Sequence, residues 1–320
     1  MLLQQSISSR VRTGWAGMAA AILWCLLALA PVSCWAENLR VLVVLSDSSS
    51  PYKPLADTLS KSLPASIRIT VLEQPDKLTG PEQADLIISV GMKASLPALI
   101  MTNVPVLVTM LPRAGYEELV AQTSPQKTNR TVSAIYFDQP VERQLDFMQA
   151  ALPKSRRIGI LHSPNTHINL AYLQQLASEH GATLIAKQVL SAEKLFSALD
   201  DLLGSSDVLL ALPDNTIYNS ANIRNILLSS YRSNIPFVGM SQSYVTAGAL
   251  GAVFSSPQQM SDQIAAAILS FVQARKLPGP QYPNDFTISV NPEVAKSLGI
   301  ELPPTDAIRN RMHDANRSAR

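Results

Sequence analysis

Asp214 and Asn215 stand in Pro213-Asp214-Asn215-Thr216, a polar break after the apolar run Val208 to Leu212. A carboxylate and an amide at the start of a helix either cap it or face a ligand, the carboxylate taking an ammonium and the free N–H groups a carboxylate. Tyr218, one turn further into the expected helix, either stacks on a ligand or packs inward. The same position recurs along the chain. Ser46 and Asp47 follow Leu39 to Leu45, Gly91 and Met92 follow Asp85 to Val90, and Thr109 and Met110 end Pro105 to Met110. Tyr136 lies near the end of Thr131 to Phe137, His162 follows Arg157 to Leu161, and Met240 and Ser241 follow Ile235 to Val238. Side chains gathered past strand ends are the usual lining of a ligand site in open α/β sheets. Plainer roles stay open beside this one: Gly91 suits any turn needing φ > 0, and Tyr136 suits a core.

Catalytic patterns are missing. No G-x-G-x-x-G follows a strand, and neither a Walker A sequence nor a G-x-S-x-G elbow occurs. His162, His167, His180 and His313 form no HExxH motif and no i, i+4 pair, so no metal site is expected. His180-Gly181 reads as a helix end. The expectation is a binding protein without cofactor or metal, and not an enzyme.

Charge points away from nucleic acid. The chain of 320 residues has 26 Lys and Arg against 24 Asp and Glu; Arg10 and Arg12 are the only charges in the first 36 residues, so a chain starting at Glu37 is formally neutral. Those first residues pass from Arg10 and Arg12 through the apolar run Trp15 to Ala30 to Cys34-Trp35-Ala36, the pattern of a signal peptide cleaved after Ala36. A lipidated Cys34 is the alternative, with Pro31 standing where a lipobox prefers Leu. Cys25 and Cys34 both fall in this leader, which leaves no disulfide for the mature chain.

The elements that must position the candidate residues alternate. Continuous apolar runs such as Leu39-Arg-Val-Leu-Val-Val-Leu45 read as parallel strands buried on both faces, and Leu55, Ala56, Leu59 and Leu63 recur at helical spacing between them. Two such series appear, one up to Met110 and one from Arg157 to Val238, implying two parallel sheets with helical crossovers. A Ser before Pro51 is expected to cap the first helix, and a helix is expected over Asn165 to His180. Ser256, with Gln259 three residues on, starts a late helix whose buried face is Met260, Ile264, Ala267, Ile268 and Phe271. Residues 303–320 read as a polar, frayed tail.

Several stretches together resemble the ABC-transporter substrate-binding protein family that includes tryptophan- and tyrosine-binding members. They are Pro140-Val-Glu-Arg-Gln-Leu145, Leu152-Pro153, Arg157-Ile-Gly-Ile-Leu161, Pro213-Asp-Asn-Thr216, Ile235-Pro-Phe-Val238, Ala247-Gly-Ala-Leu250 and Phe286-Thr-Ile-Ser-Val-Asn291. The resemblance runs, with gaps, from about Val132 to Leu302. It implies a type I periplasmic-binding-protein fold: two Rossmann-like lobes joined by three crossings that close on a ligand. Lobe one would be 37–134 plus 255–280, and lobe two 135–254 plus 282–302. The function implied is that of an exported periplasmic monomer that carries a small solute, such as an amino acid, to an inner-membrane ABC permease. A periplasmic sensory module that presents its ligand state to a receptor or kinase is the alternative. Two turns depart from the family pattern: Gly239-Met-Ser-Gln242 lacks its Asp, and Val253-Phe-Ser-Ser256 stands where relatives often have an aromatic-rich turn.

Overall fold

The structure is a computed structural model describing residues 39–48, 51–78, 84–123, 131–164, 166 and 168–318. The expected leader, both cysteines, Ser49, Ser50, Asn165 and His167 lie outside the described residues.

The first half alternates β1 (Leu39–Leu45), α1 (Tyr52–Ser62), β2 (Ile67–Leu72), β3 (Leu86–Val90), α2 (Met92–Met101), β4 (Val106–Thr109), α3 (Arg113–Thr123) and β5 (Val132–Ile135). Its strands form one parallel sheet in the order β2-β1-β3-β4-β5. The apolar runs make this inevitable: β3 and β4 are buried along their whole length, a state that requires helices on both faces. At the start of α1, Pro51 occupies the N-cap itself, where a Ser was expected, and makes no side-chain capping bond.

The second half runs α4 (Val141–Ala151), β6 (Arg157–His162), α5 (Leu170–Glu179), β7 (Thr183–Gln188), α6 (Leu195–Leu203), β8 (Val208–Leu210), α7 (Ile223–Arg232), β9 (Phe237–Gly239), α8 (Gln242–Ala247) and β10 (Gly251–Phe254). After α9 (Pro257–Ala274) come β11 (Thr287–Val290), α10 (Pro292–Ser297) and α11 (Thr305–Ser318). The second sheet has the order β11-β10-β9-β8-β6-β7, parallel except for β11, which runs antiparallel to β10. A parallel sheet needs a long crossover per strand; β11 arrives from the other sheet along an extended connector and pairs on the edge instead.

Three crossings join the sheets. After β5 the chain enters α4; after β10 it returns in α9, whose Met260, Ile264, Ile268 and Phe271 pack with Leu55 and Leu59 of α1; after α9 it crosses again to β11. Ser256 caps α9 in a full capping box with Gln259, a device worth about 1 kcal/mol. The first and third crossings are hydrogen-bonded: Tyr136 N donates to Gln281 O at 2.9 Å and Gln281 N to Ala134 O at 2.9 Å. Gln139 Nε2 donates to Ser255 Oγ at 2.9 Å, and Ser255 Oγ to Asp285 O at 2.6 Å, so all three crossings are tied.

Three expectations need correction. Helix α5 begins at Leu170 with Asn169 as its cap, not near Asn165. No helix opens at Asp214: the segment from Pro213 to Asn222 is a run of turns, and α7 starts at Ile223. Asn219 is the cause, because its amide donates to Asn215 O and Thr216 O while its Oδ1 accepts from Ala221 N and Asn222 N, local bonds that compete with a helical ladder. Finally, within the segment expected to be a frayed tail, residues 305–318 form a helix. Ile308 and Met312, at helical spacing, are fully buried in the core with Leu145 and Met148 of α4 and seat α11 there, and Arg311 Nη1 donates to Ala150 O.

Candidate functional site

A cavity of about 540 Å³ opens at the carboxyl ends of strands from both sheets. Met110 and Pro112 reach it from β4, Phe137 and Asp138 from β5, Pro213 and Asn215 from β8, and Met240 to Tyr244 from β9. Tyr52 and Leu55 of α1, Gln144 of α4 and Met260 of α9 complete its walls. A smaller cavity of about 290 Å³ adjoins it, sharing Tyr52, Met110, Pro112, Pro213 and Asn215. Met110 holds φ at 57°, a left-handed conformation uncommon for a non-glycine residue. Such backbone strain gathers at ligand clamps.

Two glycines shape the walls. At Gly91, φ is 85° and a Cβ would lie 2.6 Å from Ser46 Oγ and 3.1 Å from the Tyr52 ring, so Tyr52 can stand at the cavity only if this position is bare. At Gly239 a Cβ would lie 2.4 Å from Tyr244 Cβ, and without it the Tyr244 ring stacks on Phe237 with centroids 6.1 Å apart. Burial raises the Tyr52 and Tyr244 hydroxyls above the ordinary phenol value, with Asp47 adding to the effect at Tyr52. Both remain neutral donors at physiological pH.

Of the residues expected at a ligand site, Asn215, Tyr218, Met240 and Ser241 line the larger cavity, and Met92, Asp214 and Asn215 the smaller. Tyr218 is buried within turns, not in a helix, with its ring against Phe237 at 6.2 Å. Burial pushes its hydroxyl far up, and its Oη lies near the Leu161 backbone with no hydrogen bond of ordinary geometry. The remainder make scaffold contacts or lie off both cavities. Ser46 Oγ accepts from Ala94 N at 3.2 Å, capping α2 across the sheet, and Thr109 Oγ1 donates to Ser89 O. Tyr136 is buried between Tyr116 and Tyr282, at 5.8 and 5.1 Å, bridging two crossings. His162 is buried with Nδ1 3.3 Å from Ser163 O, and neither it nor Asp47 lines either cavity.

Asp214 is also occupied. It is 5% exposed; one oxygen accepts from Ser163 N at 2.7 Å and from Thr166 Oγ1, the other from Thr216 N at 3.0 Å. Burial raises its pKa, but the bonds from Thr166, Ser163 and Thr216 outweigh that and hold the carboxyl below the ordinary value. It is an anchor for two loops.

Sequence reasoning passes over Asp138 and Gln144. Asp138 is partly buried, its Oδ1 accepts from Arg113 N at 2.9 Å, the Asp138 N–H is also bonded to the carboxylate, and burial nevertheless pushes the carboxyl up to about 6. Gln144 is 6% exposed and its Oε1 has no hydrogen-bond partner. The only signal for Asp138 is its position, since Phe137-Asp138-Gln139-Pro140 follows a strand as the other candidate turns do. Among the described residues no group of His, Cys, Asp and Glu is placed to hold a metal ion, and no helix is long and apolar enough to cross a membrane.

Comparison with known proteins gives this geometry its context. The sequence profile of the ABC transporter substrate binding protein family matches residues 70–310. A tyrosine-binding protein of Clostridioides difficile is 22% identical over 242 residues, covering 73% of this chain and 69% of the relative. The structure resembles that of a ligand-free, open substrate-binding protein with adhesive properties from Clostridium difficile, with TM-score 0.64, 16% identity and coverage of 84% of this chain and 97% of that one. A Streptococcus pneumoniae ABC domain solved with L-Trp gives TM-score 0.58 at 18% identity, covering 83% and 96%. The fold is the two-sheet arrangement of type I periplasmic binding proteins. The cavity accordingly belongs to a solute-binding protein and not to an enzyme. This chain is a member of the ABC transporter substrate-binding protein family.

Proposed function

We propose that this chain is the exported receptor of an ABC uptake system, working as a monomer that captures an amino-acid-sized solute in the cavity between the sheets and delivers it to a permease in the inner membrane. The carrying observation is the cavity itself: its walls come from the carboxyl ends of strands in both sheets, and its 540 Å³ suits a small molecule. A ligand that touches both walls favours whichever arrangement brings them together, and the tied crossings near residues 136–139, 255 and 281–285 are the natural hinge. In this reading residues 37–134 with 255–280 form one lobe and 135–254 with 282–302 the other, with α11 attached to the second. The tyrosine-binding relative and the L-Trp complex support an amino acid as ligand, and the leader pattern of residues 1–36 supports export.

Thermal denaturation against a panel of amino acids, amines, amides, sugars and nucleobases tests the reading. At least one solute is expected to raise the midpoint and to reduce the radius of gyration in small-angle scattering. No stabilisation by any solute would overturn it.

A further inference from the structure

The polar groups at the cavity wall fall into two sets. Some are already satisfied: Gln139 donates to Ser255 and accepts from Arg143, Ser255 donates to Asp285 O, and Asp214 holds three donors. Asp138 and Gln144 fall short of donors, and the Tyr218 hydroxyl, itself able to donate, is also unpartnered. The Asp138 carboxylate meets only backbone N–H groups, those of Arg113 and of Asp138 itself, and forms no ion pair among the described residues, and the nine-tenths buried Gln144 has an unpartnered Oε1. A carboxylate and an amide oxygen are both acceptors, and the group that satisfies two acceptors at once is a cation with several N–H donors.

Among the described residues no Lys, Arg or His side chain lines this cavity or the adjoining one, so the cation is drawn from the ligand. The guanidiniums beside the crossings are engaged elsewhere: Arg113 Nε donates to Glu117 Oε1 at 2.7 Å, and Arg143 donates to Gln139 Oε1 and Pro283 O with Phe286 at 4.8 Å. A ligand carboxylate would therefore meet neutral donors only, while Tyr52, Leu55, Met110, Phe137 and Met260 offer an apolar surface to the rest of the molecule.

We propose that the cavity takes a protonated amine with an apolar body, held at its nitrogen by Asp138 and Gln144, and that a carboxylate on the ligand is dispensable. The proposal rests on the cavity being the solute site and narrows what that site reads. It also carries a pH dependence. Asp138 is faced by Arg113, Glu117, Tyr136 and Tyr282, and its carboxyl titrates at about 6 in the unliganded protein, so amine affinity is lost as pH falls through that value.

The test is calorimetric titration at neutral pH with three series: tyramine, tryptamine and putrescine; L-tyrosine and L-tryptophan; and the deaminated acids 3-(4-hydroxyphenyl)propionate and indole-3-propionate. At least one amine is expected to bind, with its deaminated acid weaker by about a hundredfold and its amino acid no more than about tenfold tighter. Asp138→Asn should weaken the amine about tenfold or more while thermal denaturation shows an intact fold, and Asp138→Glu should restore part of the loss. Equal binding of the deaminated acid, or amine affinity unchanged in Asp138→Asn, overturns the proposal. Binding of acids or sugars but no amine overturns it while the solute-binding reading stands; binding of nothing overturns both.

Discussion

Asp138 and Asp214 face the same region from opposite sheets, and their surroundings differ in every respect that matters. Asp214 has three donors and a depressed pKa; Asp138 has only the backbone N–H groups of Arg113 and of Asp138 itself, and burial raises its pKa to about 6. A carboxylate saturated by its own fold holds loops together and has no vacancy for a ligand. One left short of donors in a partly buried wall destabilises the empty protein, and it has a hydrogen-bonding deficit that a ligand can fill. The residue prominent in sequence is bonded into the scaffold, and the inconspicuous one lines the larger cavity.

The contrast can be broken by mutation. Asp214→Ala should have the largest effect, about 3 kcal/mol or more of destabilisation in urea denaturation, because Ser163 N, Thr166 Oγ1 and Thr216 N lose their acceptor together. Gly91→Ala should cost about 2 kcal/mol, since it forces a side chain into φ 85° against Ser46 and Tyr52, and it should also weaken solute binding by displacing Tyr52.

Asp138→Asn should act in the opposite sense, stabilising the unliganded protein by on the order of 1 kcal/mol at neutral pH. The sign follows from the raised pKa. The folded carboxyl holds its proton to about 6 whereas the unfolded one releases it near the ordinary 3.8, so the stability linked to this proton is full below about 3.8 and lost as pH rises through about 6. For Asp214 the depressed pKa gives the reverse, stability that is present at neutral pH and lost as pH falls through its folded value. Denaturation midpoints of the two variants measured from acid to neutral pH should therefore diverge. The smallest effect is expected for Ser255→Ala, which unties two of the crossings and should change stability by less than about 1 kcal/mol, while altering the compaction that scattering detects on ligand addition.

Much of the fold is legible in the sequence because buried parallel strands appear as unbroken apolar runs, as in Leu39 to Leu45, and because Ser256 and Gln259 announce α9. The turns from Pro213 to Asn222 are not, since Asp214 and Asn215 read as a helix start and only the bonds of Asn219 decide against one. Helix α11 is hidden in a polar segment because two apolar residues, Ile308 and Met312, suffice to seat it. Half of the candidate site escapes for a related reason. Asp138 becomes special only when the crossing buries it beside Arg113, and Gln144 only when α4 turns it toward the cavity; neither environment exists in the local chain.

A crystal structure of the protein with the tightest-binding amine decides between the two carboxylates. The ligand nitrogen is expected within about 3.2 Å of an Asp138 carboxylate oxygen, with Gln144 as its second partner and Asp214 still bound to Ser163, Thr166 and Thr216. A nitrogen seated on Asp214, or facing solvent away from Asp138, would contradict that expectation.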